Sequence, residues 1–264
     1  MTIFDWIRNR EKRGRVTFSV EELKQAFSEK SYETIKSELT RLAKKGYITS
    51  VYRGFYVVVP VQYQLKGIVP PTYYIDQLMR FVGKPYYLSL LSAAAMHGAS
   101  HQAVMVTQVT TIAPRIKYSS KNLYLNWNYR KQIPEELLLT KNAEMGVVRY
   151  SNPELTAVDL VQFADHVGGY QRASTILAEL IEVMDMEKMA DVVPYTTVAT
   201  MQRLGYLLEC VLEEKEKADE LFVILENQRQ WNSILLRNDR PRNEMALPNR
   251  WHVNGNVEIE IDDL

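Results

Sequence analysis

Apolar residues near the start of the chain recur at helical spacing. Residues 3–7 carry four apolar side chains in this pattern, which predicts a first helix that ends at Gly14. Residues 15–18 are β-prone and predict a short strand. Residues 19–22 have the sequence of a capping box, in which a Ser hydroxyl and a Glu carboxylate satisfy free amides at a helix start. A second helix is therefore expected to begin there.

A third helix is predicted over residues 31–45, where one stripe of positions is apolar. The stripe consists of Tyr32, Ile35, Leu39, Leu42 and Ala43. Gly46 has the position of a helix C-terminal glycine. Two β-prone runs then flank Arg53 and Gly54, a sequence typical of a two-residue hairpin turn.

Helix, short strand, helix, turn, helix and hairpin is the order of elements in a winged helix-turn-helix domain. We predict this domain over residues 1–62. A linker is expected over residues 63–71, because two prolines and one glycine there oppose regular structure. The pattern beyond it predicts a larger mixed α/β domain over residues 72–264, so the expected fold class is α+β.

The third helix must present its polar face to solvent, because its opposite face is apolar. Small hydroxyl side chains allow close approach to the major groove, and Lys and Arg match phosphates and guanine edges. Glu33 on this face either reads a cytosine or caps the helix. The hairpin tip can reach either an adjacent phosphate or the minor groove, and the end of the first helix can contact the DNA backbone. The candidate DNA-binding residues are Arg13, Arg15, Lys30, Ser31, Thr34, Ser37, Arg41, Lys44 and Arg53.

The larger domain mixes helical and strand patterns. Residues 86–96 are apolar almost all round, which predicts a buried helix. The sequence Asn152-Pro153-Glu154 is a strong helix start. Residues 257–261 alternate strictly between apolar and polar, which predicts a last strand. The other predicted elements are strands at 104–112, 122–127 and 146–150 and helices at 72–82, 155–167, 170–184, 196–212 and 215–226.

Charge is distributed unevenly along the chain. The 264 residues contain 32 basic and 32 acidic side chains, so the formal net charge is zero. Residues 1–66 hold 13 Lys or Arg and 7 Asp or Glu, a net charge of +6, and the other 198 residues therefore carry −6. This asymmetry indicates that a polyanion is bound by the N-terminal region.

Composition excludes several classes of protein. A chain that is 46% hydrophobic and 24% charged has ordinary globular values. The single cysteine, Cys210, excludes a disulfide scaffold and is expected to lie buried in an apolar helix stripe. Residues 85–113 lack charged side chains but are too polar for the roughly 20 apolar residues of a membrane span. No signal-peptide pattern opens the sequence, so a cytoplasmic location without membrane contact is expected.

The sequence contains no motif typical of an active site, and no cofactor or metal is predicted. His97 and His101 are four residues apart but form no HExxH motif, so packing or capping roles are favoured. Glu258, Glu260 and Asp262 would share one face of the last strand. Such a face either binds a cation or is the solvated side of an edge strand.

Two basic tracts outside the N-terminal region are candidates for secondary contacts with nucleic acid. Loops are also frequently basic for solubility alone, so both explanations stay open. The tracts are Arg115, Lys117 and Lys121 around Tyr118, and Arg237, Arg240 and Arg242 near the C-terminus.

Several segments resemble the AbiEi family of antitoxins, which belong to type IV toxin–antitoxin and abortive-infection systems of phage defence. They follow the family order across nearly the whole chain. The segments are LTRLAKKGYITSVYRGFYVV (39–58), YYLSLLSAAAMHGASHQ (86–102), NPELTAVDLV (152–161), GGYQRASTILAEL (168–180), RLGYLLE (203–209) and RWHVNGNVEIEID (250–262).

The resemblance implies an N-terminal winged-helix domain that binds operator DNA, expected to be an inverted repeat, and represses its own operon. It also implies a C-terminal domain that neutralises a nucleotidyltransferase-like toxin without forming a stable complex with it. The DNA-contacting region of the family corresponds here to residues 30–45 and the hairpin around Arg53. The function expected is that of an autorepressor and antitoxin, not of an enzyme.

Three other functions are compatible with the residues. A metal-dependent nucleic-acid-processing enzyme would use the acidic face of the last strand and would cleave only with metal. A ligand-sensing regulator would bind a metabolite in the uncharged region 86–112 and gain thermal stability from it. A winged-helix domain can also serve only to dock proteins.

Overall fold

A computed structural model describes residues 1–64, 68–99, 105–113, 124–226 and 231–261. With 49% of the residues in helices and 17% in strands, the protein is α+β, as predicted. The chain divides into two compact units. Unit 1 comprises Met1–Tyr87, Met105–Ile133 and Thr140–Arg149, and unit 2 comprises Leu88–Val104, Pro134–Leu139 and Tyr150–Leu264. The domain boundaries predicted above stay a prediction.

The first elements of unit 1 follow the predicted order. They are α1 (Ile3–Glu11), β1 (Thr17–Ser19), α2 (Val20–Ala26), α3 (Tyr32–Lys44), β2 (Ile48–Tyr52) and β3 (Phe55–Val58). The predicted capping box forms at α2, where the Glu22 amide donates to the Ser19 hydroxyl and the Ser19 amide donates to the Glu22 carboxylate. A second box starts α1, and hydrogen bonds from Thr2 hold the pKa of Asp5 below its ordinary value.

The three strands form an antiparallel sheet in the order β1-β3-β2. Gly54 takes φ +78° in the turn between β2 and β3, a conformation that glycine adopts without steric cost. Helices α1, α2 and α3 pack on this sheet through one apolar cluster. Its buried members are Ile3, Ile7, Phe18, Val20, Leu23, Phe27, Ile35, Leu39, Leu42, Ile48 and Val58.

The rest of the chain adds helices and short strands. In chain order they are α4 (Val61–Gln64), α5 (Ile75–Val82), β4 (Tyr86–Leu88), α6 (Leu90–Met96), β5 (Thr107–Thr111), β6 (Leu125–Tyr129), β7 (Leu138–Ala143), β8 (Gly146–Ser151), α7 (Pro153–Gln162), α8 (Tyr170–Leu180), α9 (Met186–Val192), α10 (Val198–Tyr206), α11 (Lys215–Glu226), β9 (Ile234–Leu235) and β10 (Val253–Asn254). Strands β4 to β8 form a sheet in the order β6-β5-β4-β8-β7. In unit 2, α7 packs against α6, α8, α9 and α10 and is buried on nearly all sides.

The helix predicted over residues 86–96 is wrong in its first part, because β4 precedes α6 there. Tyr86 and Tyr87 are buried strand residues, and Leu88 pairs with Tyr150 of β8. A run that is apolar on all sides suits a buried strand as well as a buried helix. The neighbours of β4 in the sheet, β5 and β8, both come later in the chain. Local periodicity therefore does not distinguish the two.

The strand predicted over residues 257–261 is also wrong, since these residues have no strand conformation. The pairing near this end is instead between β9 and β10, which are parallel and two residues long. Glu258 and Glu260 are exposed, and Asp262 lies outside the described residues. The acidic strand face on which the enzyme alternative depended is therefore not formed by the described part of this segment.

Cys210 is exposed instead of buried. Residues Leu207–Val211 form a π-helical turn directly after α10. A π turn bonds each residue to the fifth one along instead of the fourth, so it rotates later side chains away from the apolar stripe. None of the helices in the described ranges has the length and apolarity needed to cross a membrane.

Candidate nucleic-acid interface

One face of α3 is buried against the rest of unit 1, and the opposite face is exposed to solvent. Ile35, Leu39 and Leu42 are at most 3% exposed and belong to the apolar cluster of unit 1. Tyr32 and Ala43, predicted to share this stripe, are exposed instead. The Tyr32 ring lies 4.6 Å from the Lys24 ammonium group on α2, where the aromatic face attracts the cation.

Cations predominate on the exposed face of α3. Its side chains line a shallow concavity, in which four cations outnumber the single carboxylate of Glu33. The lining residues are Glu33, Lys36, Ser37, Thr40, Arg41, Lys44 and Lys45. Sequence analysis named Ser37, Arg41 and Lys44 as contacts but not Lys36 or Lys45. The position of Lys36, four residues before Thr40, is the signal that would have placed it on this face.

The hydroxyl groups at the start of α3 have a structural role. Ser31 is the N-terminal cap, and its hydroxyl accepts a hydrogen bond of 3.2 Å from the Thr34 amide. The two hydroxyl oxygens are 2.9 Å apart. Both side chains are exposed, so both are open to a partner at the N-terminal end of the helix. Glu33 lies in the first turn, where a carboxylate is favoured by the helix dipole.

Lys30 forms an ion pair with another side chain of unit 1. Its ammonium group is 3.4 Å from the Glu38 carboxylate, and both side chains are partly buried. This pairing joins the turn before α3 to the middle of that helix. Among the predicted contact residues, Lys30 thus already has an internal partner.

Arg13 and Arg15 are exposed in the loop between α1 and β1, on either side of Gly14. Arg10 has a different environment, because its guanidinium group donates to the Glu22 carboxylate at 2.8 Å and stacks on Trp6 at 4.7 Å. Arg10 therefore holds this loop against α2, and Arg13 and Arg15 project from it.

Arg53 is exposed at the tip of the β2–β3 hairpin. The two residues that flank the turn contact Phe81 of α5, with ring centroids 6.2 Å apart for Tyr52 and 5.1 Å apart for Phe55. The hairpin is therefore supported from one side by α5. Sequence analysis did not find this contact, because it joins residues far apart in the chain.

Of the two secondary basic tracts, the one near the C-terminus lies within the described residues. Arg115, Lys117 and Lys121 lie outside the described residues. Arg237 is 2.7 Å from Asp239 and 3.4 Å from Asp165, and its guanidinium group lowers the pKa of the Asp239 carboxyl. Arg240 and Arg242 are exposed on the following loop.

The predicted histidine pair is described only in part, because His101 lies outside the described residues. The Nε2 atom of His97 is 2.8 Å from the carbonyl oxygen of Ser151, and its ring contacts Tyr150. Within the ranges that the structure describes, no three His, Cys, Asp or Glu side chains are grouped so that they could hold a metal ion.

Comparison with known proteins gives a family match for residues 87–210. No curated protein sequence matches the chain. The crystal structure of RV2827C protein from Mycobacterium tuberculosis has a TM-score of 0.67 and 14% sequence identity, covering 94% of this chain and 88% of that one. This likeness shows a shared fold only. Residues 87–210 match the AbiEi antitoxin C-terminal domain. Over these residues the chain therefore carries the C-terminal domain of the AbiEi family, the antitoxins of toxin–antitoxin systems.

Proposed function

We propose that the chain is a transcriptional autorepressor as well as an antitoxin, and that residues 1–62 are its winged helix-turn-helix DNA-binding domain. In this proposal α3 is the recognition helix and the β2–β3 hairpin is the wing. The supporting observation is the division of α3 between a buried apolar face and an exposed face with four cations. A helix of this kind fits the major groove, where cations meet phosphates and guanine edges.

The distribution of charge supports the same assignment. Residues 1–66 carry a net charge of +6 and the other residues carry −6, so the field around the chain attracts DNA to its N-terminal region. Arg13, Arg15 and Arg53 are exposed cations in the two loops of this region, and they are proposed to contact the DNA backbone beside α3.

The antitoxin activity is proposed to act on a nucleotidyltransferase-like toxin without a stable complex between the two proteins. This part of the proposal rests on the AbiEi domain over residues 87–210 and on the family resemblance of the sequence. The DNA target is proposed to be an inverted repeat upstream of the gene for this chain.

Fluorescence anisotropy tests the DNA-binding half of the proposal. The full chain is titrated into a labelled duplex from the region upstream of its gene, at several salt concentrations. Replacing Arg41 and Lys44 with Ala removes two exposed cations from α3, so the affinity should fall. The slope of log K against log salt should decrease by about 2, because each lost phosphate contact releases one counterion fewer.

The matched control replaces two exposed lysines of unit 2, Lys188 and Lys215, with Ala, which removes the same charge. This variant should bind the duplex with nearly the affinity of the wild type. An unchanged affinity of the Arg41→Ala/Lys44→Ala variant would show that α3 is not the recognition helix. Absence of binding by the wild type would overturn the repressor function.

A further inference from the structure

A polar cavity of about 270 Å³ lies in unit 2, between the end of α7, the first residue of α8, α10 and the segment after β9. Its lining includes two arginines, two aspartates, one tyrosine and one asparagine. They are Asp165, Tyr170, Arg203, Arg237, Asn238 and Asp239. We call this cavity the Arg203 pocket. All of these residues belong to unit 2, so the pocket is formed within one compact unit.

Arg203 is fixed along one edge of its guanidinium group. Its Nε atom donates to the carbonyl oxygens of Leu235 and Leu236 at 3.1 Å, and its Nη2 atom donates to Leu235 at 2.8 Å and to the Asn238 side-chain oxygen at 3.1 Å. Within the described ranges, Nη1 has no hydrogen-bond partner and no carboxylate lies at ion-pair distance from this cation. The same is true of the Nδ2 amide of Asn238, which has no partner among the described residues. Arg203 therefore brings to the pocket a positive charge without a counter-ion.

Arg237 is held in a similar way by Asp239. Its Nε and Nη2 atoms each donate to one oxygen of that carboxylate at 2.7 Å, so the two groups form a bidentate pair. Its Nη1 atom forms no hydrogen bond to any residue that the structure describes, and it lies 3.5 Å from the point where a Cβ atom of Gly169 would be. The carbonyl groups that hold Arg203 belong to the two residues directly before Arg237, so both guanidinium groups are fixed by one short segment.

The Tyr170 hydroxyl is a neutral donor close to these cations. Its side chain is half-buried, and the described part of the protein offers the hydroxyl no hydrogen-bond partner. Burial raises the pKa of Tyr170, the charges of Arg203 and Arg237 act against this rise, and Asp165 adds to it. The hydroxyl therefore stays protonated at neutral pH, and both cations lie near enough to act on it.

Structural roles account for only part of this arrangement. The bonds to residues 235–239 explain why Arg203 and Arg237 are fixed, but they use the Nε and Nη2 atoms alone. They do not explain why two Nη1 groups, the Tyr170 hydroxyl and the Asn238 amide are gathered in one cavity. Polar groups removed from water are nearly always hydrogen-bonded, so donors left open in a cavity are available to a ligand. Donors from four residues, two of them cationic, fit a group with several anionic oxygens.

We propose that the Arg203 pocket binds a small phosphate, either the free ion or the phosphate monoester of a metabolite. A phosphate offers more acceptor oxygens than a carboxylate and so matches the number of donors better. The cavity is smaller than the roughly 300–1,000 Å³ typical of small-molecule sites, so it suits a small ligand. Asp165 opposes an anion only weakly, because 81% of its side chain is exposed to solvent that screens its charge.

Isothermal titration calorimetry of the full chain tests this inference with three probes: inorganic phosphate, glycerol 3-phosphate and acetate. Both phosphates should bind, and acetate should bind about tenfold more weakly because it offers fewer acceptor oxygens. The tighter of the two phosphates distinguishes the sources: tighter binding of inorganic phosphate assigns the pocket to the free ion, and tighter binding of glycerol 3-phosphate assigns it to a monoester.

Substitutions in the pocket separate binding from folding. Tyr170→Phe removes only a hydroxyl that has no partner within the described structure. It should weaken phosphate binding about tenfold, as expected for a hydrogen bond to a charged group, and leave the melting temperature unchanged. Asn238→Asp keeps the oxygen that Arg203 uses but replaces the amide with a negative charge, so it should weaken binding further without loss of stability. Asp165→Asn removes an opposing, exposed charge and should tighten binding about twofold.

Tyr206→Phe is the matched control, because Tyr206 is a half-buried tyrosine of unit 2 that does not line the pocket. This variant should bind phosphate as the wild type does. If neither phosphate binds, if acetate binds equally well, or if Tyr170→Phe and Asn238→Asp keep wild-type affinity, the inference is overturned. Weaker binding together with a lower melting temperature in both variants would show that these groups hold the fold, and would overturn it as well.

This inference and the DNA-binding proposal fail separately. The Tyr170→Phe variant should bind the upstream duplex with wild-type affinity in the anisotropy experiment, because the pocket belongs to unit 2 and not to residues 1–62. A weaker affinity for the duplex would assign the pocket to the DNA backbone instead of a small phosphate and would overturn the inference. If the wild type binds phosphate and no duplex, the pocket stands and the repressor function is rejected.

Discussion

Arginine residues within a few positions of each other have different roles at the end of α1. Arg10 bonds to Glu22, donates to the Thr17 carbonyl oxygen at 3.2 Å and stacks on Trp6. Arg13 and Arg15 are exposed on the adjoining loop. The structure therefore separates one residue that holds the loop from two that are available to a partner.

This separation predicts different outcomes for similar substitutions. Arg10→Ala should lower the free energy of unfolding by about 1–2 kcal/mol, because it removes hydrogen bonds to a carboxylate and a carbonyl. Arg13→Ala/Arg15→Ala should leave stability within about 0.5 kcal/mol of the wild type and should reduce the salt slope of DNA binding. Urea unfolding and anisotropy, measured on both variants, check the two effects. Equal loss of stability in both variants would contradict the assignment.

The positions of single residues in the candidate interface were predictable from local sequence signals. Contacts between residues that lie far apart in the chain were not predictable in this way. The polar face of α3 follows from the spacing of Ile35, Leu39 and Leu42, since a helix repeats every 3.6 residues. The pairing of Lys30 with Glu38 and the contact of Phe81 with the hairpin depend on how elements pack. Periodicity places a side chain on a face but does not name its partner.

At the scale of elements, the N-terminal order was predictable because each boundary carries its own residue signal. The Ser19–Glu22 capping box, Gly46 and the Arg53-Gly54 turn stand where the structure begins or ends a helix or turns a hairpin. The first strand of the larger sheet has no such signal. Strand β4 is defined by its neighbours in the sheet, β5 and β8, which both come later in the chain, so an apolar run alone predicted a helix instead.

Close packing of α10 gives an element-scale prediction. A Cβ atom on Gly205 would overlap the ring of Trp251, which is fully buried in unit 2. Gly205→Ala should therefore destabilise unit 2 by about 1–3 kcal/mol, since a packed interior accommodates extra atoms only by shifting. Unfolding followed by far-UV circular dichroism measures the loss.

The double variant Gly205→Ala/Trp251→Leu is the control for this prediction. A smaller side chain at position 251 makes room for the new methyl group, so the two changes together should cost less than the sum of their separate effects by more than about 0.5 kcal/mol. Strict additivity would show that the ring does not limit this position.

At the scale of the whole molecule, charge and family assignment point to separate tasks. The N-terminal 66 residues carry +6, and the AbiEi domain lies within the part that carries −6. An acidic surface repels DNA, so cationic residues that bind an operator and residues that neutralise a toxin need not coincide. The two activities should therefore be separable by substitution.

We expect Arg41→Ala/Lys44→Ala to lose repression and to keep antitoxin activity, because both residues are exposed on α3 outside residues 87–210. We expect Gly205→Ala to do the reverse, because it disrupts packing inside the AbiEi domain and leaves α3 unchanged. Each variant is produced from an inducible promoter together with the toxin, so that altered repression does not change its amount. Growth of the cells reports neutralisation, and a reporter under the native promoter reports repression. If the α3 variant lost both activities at wild-type protein levels, toxin neutralisation would require DNA binding, and the division of tasks between the two regions would be wrong.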